Sequence, residues 1–164
     1  MNDLDIIVLA GGKGTRMGGD IAKVLTPVAG RPMLSYVLDA VRGVLSHDPV
    51  VVVGYQAEKV KETFGADGRY AHQAEQRGTG HAVKVALAHV RPEAKYIFVL
   101  YGDHPVIKAE TIRSVYEKHS KKDRFAPVTL ATVRVPDFNE WRTSFFDFGR
   151  IIRYADGSIV KIVE

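Results

Sequence analysis

The stretch LDIIVLAGGKGTRM, residues 4–17, decides the fold of this chain. Its first six residues form an apolar run that is typical of a buried strand, and a glycine-rich loop follows directly. Glycines let backbone N–H groups approach a ligand closely, and Lys13, Arg16 and Lys23 add positive charge beside them. A strand that ends in such a loop is the usual way in which an α/β protein holds a polyphosphate. The stretch therefore predicts a nucleotide-binding site at the end of the first strand.

Length, charge and composition limit the kind of protein that this chain can be. Its 164 residues suffice for one domain with a hydrophobic core but are too few for two domains of ordinary size. The formal net charge of +4 includes no long basic run, which suits anionic small molecules better than nucleic acid. Cysteine is absent, so disulfides and thiolate metal sites are excluded. We find no signal peptide or membrane-spanning stretch, and we expect a soluble cytoplasmic protein without membrane partners.

Strand-like and helix-like segments alternate along the chain. Apolar runs predict strands at 6–9, 49–53, 69–72, 96–101, 127–135 and 151–163, the last with a turn at 156–157. Helical spacing of apolar residues predicts helices at 33–45, 57–64, 78–90 and 107–119. The helix at 78–90 is apolar around most of its circumference, which predicts that it is well buried. The alternation favours an α/β fold with a mostly parallel sheet covered by helices on both faces.

The first glycine-rich loop matches neither of the common phosphate-binding motifs. A Rossmann fingerprint needs a third glycine where Met17 stands, and a Walker A motif needs Gly-Lys-Ser/Thr where 18–20 reads Gly-Gly-Asp. The alternative is a flexible surface turn, which the nearby basic residues disfavour. Arg16 can form two parallel hydrogen bonds to a phosphate, and Lys23 is interpreted as a second phosphate contact.

A second polar cluster covers residues 73–81. Gln73 offers an amide that can both donate and accept, as recognition of a pyrimidine edge requires. Gly78-Thr79 opens a helix whose first N–H groups are unpaired, and an ordinary helix N-cap without any ligand is the equal alternative. His81 is interpreted as a helix residue that serves packing or capping.

A third cluster, Tyr101-Gly102-Asp103, follows the strand at 96–101. Ligands of parallel sheets bind beyond the carboxyl ends of strands, where a carboxylate can hold Mg²⁺ against phosphate oxygens. Gly102 would allow a ligand to approach closely. The alternative is that Asp103 caps the next helix.

The stretch 138–148 is unusual because it carries five aromatic residues among polar ones. We interpret it as a loop that packs its own aromatic side chains onto the domain. The alternatives are a flap over the substrate or an association surface. The chain then stops directly after a strand, which indicates a fragment of a larger domain.

Taken together, the three clusters resemble the sugar-1-phosphate nucleotidyltransferases, and above all the uridylyltransferase domains of bifunctional N-acetylglucosamine-1-phosphate uridyltransferases. The specific part is QAEQRGTGHA, residues 73–82, because the wider superfamily shares the first loop. The resemblance runs from about Asp5 to Glu164. It implies a three-layer α/β/α, Rossmann-like nucleotidyltransferase domain over residues 1–164, with its C-terminal part missing.

The resemblance also implies a role for each matched residue. The nucleotide would contact Leu9, Ala10, Gly11, Gly12, Lys13, Gln73, Gly78 and Thr79. The catalytic phosphate contacts would be Arg16 and Lys23, and Asp103 would bind Mg²⁺. The sugar phosphate would contact Tyr101, Gly102, Gly149 and Glu164.

The chain departs from the family pattern at three places. Gly11 stands where alanine is usual, which is a mild change. Ala22 precedes Lys23 where proline is usual, which predicts a looser loop around that lysine. The stretch 138–148 replaces a shorter loop near the sugar.

The implied reaction is transfer of a uridylyl group from UTP to a sugar 1-phosphate, with Mg²⁺ as cofactor. N-acetylglucosamine 1-phosphate is the expected acceptor, and the products would be UDP-N-acetylglucosamine and pyrophosphate. One alternative is a related transferase that uses another nucleoside triphosphate or sugar. The other is a non-catalytic nucleotide-binding module or an inactive fragment.

Overall fold

A computed structural model describes residues 1–14, 20–121 and 127–163 of the chain. Its strands are β1 (Leu4–Leu9), β2 (Pro27–Val28), β3 (Arg31–Pro32), β4 (Val50–Val53), β5 (Arg69–His72), β6 (Tyr96–Tyr101), β7 (Arg150–Arg153) and β8 (Ile159–Val163). Its α-helices are α1 (Met33–Arg42), α2 (Ala57–Phe64), α3 (Thr79–Ala86) and α4 (Ala109–Ser120). Short 3-10 helices cover Lys23–Leu25, Leu87–His89 and Glu140–Asp147. Within these described ranges, no helix has the length and apolar character needed to cross a membrane.

A four-stranded sheet with the order β5-β4-β1-β6 is the frame of the first compact unit, Met1–Thr129. All of its strand pairs are parallel. Leu9 at the end of β1 pairs with Val52 on one side and with Tyr101 on the other, so these strands end at the same edge. The predicted parallel sheet is confirmed.

Alternating residues of the strands bury two separate cores, because successive side chains of a strand point to opposite faces. On one face the strand residues pack with α1, α2 and α4 in a cluster that includes Ile6, Val8, Val51, Val53, Leu34, Val37, Val60, Phe64 and Ile112. On the other face they pack with α3 in a cluster formed by Ile7, Val50, Val52, Ala71, Ala82 and Ala86. The sheet therefore has helices on both faces, and the predicted three-layer α/β/α fold is confirmed.

Two sequence predictions about this fold are wrong. Only Ala82 and Ala86 of α3 are buried, whereas Leu87 directly after it is 49% exposed, so the segment 78–90 is not well buried. Residues 127–135 form no strand, and Val133 within them is 73% exposed. An alternating apolar pattern becomes a strand only beside a partner that accepts its hydrogen bonds.

The second compact unit, Leu130–Glu164, contains an antiparallel hairpin and an aromatic cluster. The hairpin pairs β7 with β8 around Asp156-Gly157, as predicted. Residues 140–147 form a 3-10 helix rather than a loop. Aromatic rings of the stretch 138–148 pack edge to face, with centroids 5.6 Å apart for Phe138 and Phe146, and Trp141 stays 68% exposed. The roles of this stretch as a flap or an association surface, and the expected single domain, stay predictions.

Candidate active site

A cavity of about 350 Å³ opens at the carboxyl edge of the sheet in the first unit. Its walls come from the end of β1, the start of α3 and the residues after β6. The lining residues are Leu9, Gly11, Gly12, Lys23, Val24, Val52, Gln73, Gln76, Gly78, Thr79, Ala82, Tyr101 and Asp103. The three polar clusters of the sequence thus meet in one cavity, although as many as 94 positions of the chain separate their ends.

Backbone hydrogen bonds hold the glycine loop after β1 in place. The fully buried Ala10 donates its N–H to the Val52 carbonyl oxygen at 2.8 Å, so this N–H is not free for a ligand. The Gly11 carbonyl oxygen accepts from the Tyr55 N–H at 3.1 Å. Gly14 has φ +69°, and a Cβ there would lie 2.8 Å from Cβ of Lys23. The glycine is therefore required both by its conformation and by the close approach of Lys23.

Lys23 begins a 3-10 helix, and its ammonium forms an ion pair with the Asp103 carboxylate. The side chains are 39% and 21% exposed, so solvent and ligands reach both. The N–H of the buried Ala22 donates to Oε1 of Gln56 at 2.9 Å, a bond that proline could not form. The alanine thus has a hydrogen bond that proline would lack, and the expected looser loop stays a prediction.

Asp103 reaches the cavity because Gly102 lets the chain pass close to β1. The Gly102 N–H donates to the Leu9 carbonyl oxygen at 2.9 Å, and a Cβ on Gly102 would lie 3.0 Å from that same oxygen. The next helix, α4, has Lys108 as its N-cap residue, so Asp103 does not cap it. The helix-capping alternative for Asp103 is therefore wrong.

Gln73 is 5% exposed, and its amide is held from two sides. Its Nε2 lies 3.2 Å from the Gly78 carbonyl oxygen and 3.1 Å from Nδ1 of His81. Gly78 adopts φ +92°, a left-handed conformation that favours glycine, and no side chain caps α3 there. The first N–H groups of α3 therefore have no partner within the helix, and Gly78 and Thr79 beside them line the cavity.

The site includes one polar residue that the sequence analysis did not single out. Nε2 of Gln76 donates to the Gly11 carbonyl oxygen at 2.9 Å and so ties the second cluster to the glycine loop. The sequence does contain a signal for this residue, because Gln76 follows Gln73 by three positions within the polar cluster 73–81. Its partner lies 65 positions away, and only the folded chain shows that contact.

The donor set at Asp103 fits a magnesium ion that shares its coordination with a substrate. Mg²⁺ in phosphate-transfer sites is usually bound by one or two carboxylates, with water and substrate phosphates completing the shell. Over residues 1–14, 20–121 and 127–163, no three His, Asp or Glu side chains converge on a common point. Asp103 therefore suits a metal that arrives with phosphate, not one enclosed by protein.

The structure collects most of the predicted site residues but not all. Nine of them line the cavity, namely Leu9, Gly11, Gly12, Lys23, Gln73, Gly78, Thr79, Tyr101 and Asp103. The predicted residues Ala10 and Gly102 are buried behind its wall. The ammonium of Lys13 lies 5.3 Å above the ring of Tyr55. Gly149 belongs to the second unit, and Arg16 and Glu164 lie outside the described residues.

Comparison with known proteins agrees with this fold and site. The family described as "MobA-like NTP transferase domain" matches residues 6–142. The chain therefore belongs to this family of nucleotidyltransferases. The family match covers all three polar clusters and both helical layers of the first unit.

Individual relatives point the same way. Bifunctional protein GlmU of Cellvibrio japonicus is 41% identical over 162 residues, which are 98% of this chain and 33% of that protein. The chain thus spans about a third of the length of the curated relatives that it matches.

Among solved structures, the nucleotidyl transferase Mth528 of Methanothermobacter thermautotroptrophicus has a TM-score of 0.61 at 22% identity, over 71% of this chain and 58% of that one. Rv0371c of Mycobacterium tuberculosis in complex with manganese has a TM-score of 0.55 at 25% identity, over 70% and 58%.

Proposed function

We propose that this protein transfers a uridylyl group from UTP to a sugar 1-phosphate, with N-acetylglucosamine 1-phosphate as the acceptor. The observation that carries the proposal is the convergence of Gln73, Lys23 and Asp103 on one cavity. These side chains supply a base contact, a cation for phosphate and a carboxylate for a metal. The likeness to bifunctional protein GlmU and the family match support nucleotidyl transfer, and the choice of sugar and base rests on the family resemblance of residues 73–82.

The proposed reaction is an in-line displacement at the α-phosphorus of UTP. A phosphate oxygen of the sugar 1-phosphate forms the new P–O bond, and pyrophosphate leaves with the electrons of the broken bond. The reaction needs no covalent enzyme intermediate, so the protein acts through positioning and charge neutralisation. Mg²⁺ held at Asp103 would supply Lewis-acid neutralisation of the reacting phosphates.

Lys23 is the described cation best placed for the phosphates. Its side chain is flexible and 39% exposed, so the ammonium can exchange the Asp103 carboxylate for a phosphate oxygen. Neutralising charge that grows on the leaving pyrophosphate lowers the barrier, because such donors act where charge develops. We assign Arg16 the same role by its place in the glycine loop.

The acceptor sugar is assigned to the side of the cavity beyond β6. Tyr101 is 47% exposed there, and its ring lies 5.2 Å from that of His104. We propose Tyr101 as a contact of the sugar phosphate. Because Gly102 is buried and does not line the cavity, its contact with the sugar phosphate stays a prediction from the family resemblance, as do the sugar contacts of Gly149 and Glu164. A cytoplasmic location would match a supply of UTP and sugar phosphates, and it stays a prediction.

A binding and turnover assay tests this proposal. UTP is titrated calorimetrically in the presence of Mg²⁺, and pyrophosphate release is then followed with a panel of nucleoside triphosphates and sugar 1-phosphates. We expect release to be fastest with UTP and N-acetylglucosamine 1-phosphate, and Arg16→Ala to abolish most of it without weakening the fold. A normal rate in Arg16→Ala would contradict the assigned role of the loop. Binding of UTP without any release would support the nucleotide-binding module or inactive fragment instead.

A further inference from the structure

The Gln73 amide has only one orientation that satisfies its neighbours. A backbone carbonyl oxygen can only accept a hydrogen bond, so the group 3.2 Å from the Gly78 oxygen must be the Nε2 amino group. That amino group also lies 3.1 Å from Nδ1 of His81. Nδ1 must then accept, and the imidazole proton is on its other nitrogen.

Both N–H groups of the Gln73 amide are used inside the protein. The remaining hydrogen-bonding atom is Oε1, which accepts no hydrogen bond from any residue in the part of the chain that the structure describes. Oε1 lies on the cavity side of the amide, since a Cβ placed on the cavity residue Gly11 would be 3.4 Å from it. Gln73 therefore offers a ligand an acceptor and no donor.

We infer that His81 is a positioning residue that holds Gln73 as an acceptor and thereby selects uracil over cytosine. Uracil presents an N–H at ring position 3, which Oε1 can accept, whereas cytosine presents an unprotonated acceptor nitrogen there. Two acceptors that face each other in a buried site lose a hydrogen bond and repel. The inference rests on the proposed function, because it explains the base preference that we propose for the same site.

Without His81, the amide loses one of the two partners that set its orientation. Only the Gly78 carbonyl oxygen then favours this orientation, so the amide can turn its amino group toward the cavity at a smaller cost, and there that group suits the cytosine edge. A general loss of packing would weaken the binding of UTP and CTP alike. The ratio of the two affinities therefore distinguishes a positioning role of His81 from a purely structural one.

Four variants test the inference by calorimetry with UTP and CTP in the presence of Mg²⁺. His81→Ala removes the acceptor, His81→Phe removes it but keeps a ring, and His81→Asn restores an oxygen close to the position of Nδ1. Lys84→Ala is the matched control, because Lys84 is exposed on the same helix. We expect the preference for UTP over CTP to fall about tenfold in His81→Ala and His81→Phe and to return in His81→Asn. Lys84→Ala should keep the wild-type preference.

Several results would overturn the inference. Equal weakening of UTP and CTP in His81→Ala would show a structural role alone. An intact preference in His81→Phe would show that ring volume, not the acceptor, matters. If the wild-type protein bound neither nucleotide, or bound both equally, the result would contradict the proposed function and therefore also the inference.

A measurement without nucleotide separates these failures. The side-chain NH₂ protons of Gln73 are both hydrogen-bonded, so their NMR signals should exchange slowly with solvent in the wild type. Exchange should become markedly faster in His81→Ala and His81→Phe, but not in Lys84→Ala. Unchanged exchange in the first two variants would show that His81 does not hold the amide.

Discussion

Two aspartates on neighbouring strands, at opposite ends of the sheet, are used in opposite ways. Asp5 lies in β1 and is fully buried, whereas Asp103 follows β6 and is 21% exposed. Both form an ion pair, with Arg69 and Lys23 respectively. The surroundings of each carboxylate, not its charge or its pairing, distinguish the one that is enclosed by the fold from the one that a ligand can reach.

The Asp5 carboxylate is surrounded by protein donors. Nη2 of Arg69 donates to its two oxygens at 2.7 and 2.9 Å, and the N–H groups of Arg91 and Ile6 donate at 2.9 and 3.0 Å. With its acceptor sites filled by these donors, Asp5 ties β1 to β5 and to the segment before β6. A buried carboxylate with this many partners has little capacity left for a ligand.

The Asp103 carboxylate keeps capacity for a ligand. Its described partners are the Lys23 ammonium and, at 4.0 Å, Nε2 of His104. It faces the cavity, and Lys23 has a long flexible side chain that can move to another anion. The comparison therefore predicts that changes at Asp103 act on activity and changes at Asp5 act on stability.

The largest effect is expected from Asp103→Asn. The amide keeps the shape of the side chain but removes the charge proposed to hold the metal, so pyrophosphate release should fall by about a thousandfold. The free energy of unfolding should change by less than about 1 kcal/mol, because a solvent-accessible ion pair contributes little. A rate of pyrophosphate release within tenfold of the wild type would contradict the proposed role of Asp103 in metal binding.

Asp5→Ala should produce the mirror image of that result. Removing Asp5 leaves the Arg69 charge without its carboxylate partner, although that guanidinium still donates to the Asp48 and His89 carbonyl oxygens. It also leaves the Arg91 N–H without its acceptor, and we expect a loss of about 3 kcal/mol in urea denaturation. In native buffer the folded fraction should still bind UTP with the wild-type affinity. A loss of unfolding free energy below about 1 kcal/mol, or a selective loss of UTP binding, would contradict the structural role assigned to Asp5.

A pair of glycine substitutions sharpens the comparison at the cavity edge. A methyl group on Gly102 would lie 3.0 Å from the Leu9 carbonyl oxygen and 3.1 Å from Cγ1 of Val24, so Gly102→Ala should cost about 2 kcal/mol of unfolding free energy. Gly12→Ala is the control for stability, because nothing lies within 4 Å of its added methyl group. Thermal denaturation of both variants checks this, and an equal cost for the two would contradict it.

The smallest effect is the response of the Asp5 region to acid. Burial alone would raise the pKa of Asp5, but hydrogen bonds from Arg69 and the Arg91 N–H outweigh it and lower the pKa below its usual 3.8. Burial, with the charges of Arg91 and Arg69, also lowers the pKa of His47 below its usual 6.5 against the opposing charge of Asp5. Both groups bind protons more tightly in the unfolded chain.

Stability should therefore decrease as the pH falls, first below 6.5 through His47 and then below 3.8 through Asp5. Urea denaturation at a series of pH values measures this. His47→Gln should remove the first decrease and Asp5→Asn the second. A curve of the same shape in both variants would show that other groups dominate the acid response.

Local sequence patterns predicted three elements of the first unit to the residue. The helix at 57–64 and the strands at 69–72 and 96–101 have the predicted bounds, because glycine or polar residues end each apolar pattern. The failures share one cause. The burial of α3 and the pairing of 127–135 depend on neighbours distant in the chain, and apolar periodicity carries no information about those neighbours.

The chemistry of the site divides in the same way. Residue types and spacing predicted the glycine loop, Gln73 and Asp103 as parts of a nucleotide site, because phosphate, base and metal each require particular groups. Only the folded chain shows that Lys23 pairs with Asp103 across 80 positions and that Nδ1 of His81 lies 3.1 Å from the amide nitrogen of Gln73. Neighbouring residues determine which chemical groups a segment can offer to a ligand. The hydrogen-bond partner of each group depends on how strands and helices that are distant in sequence pack together.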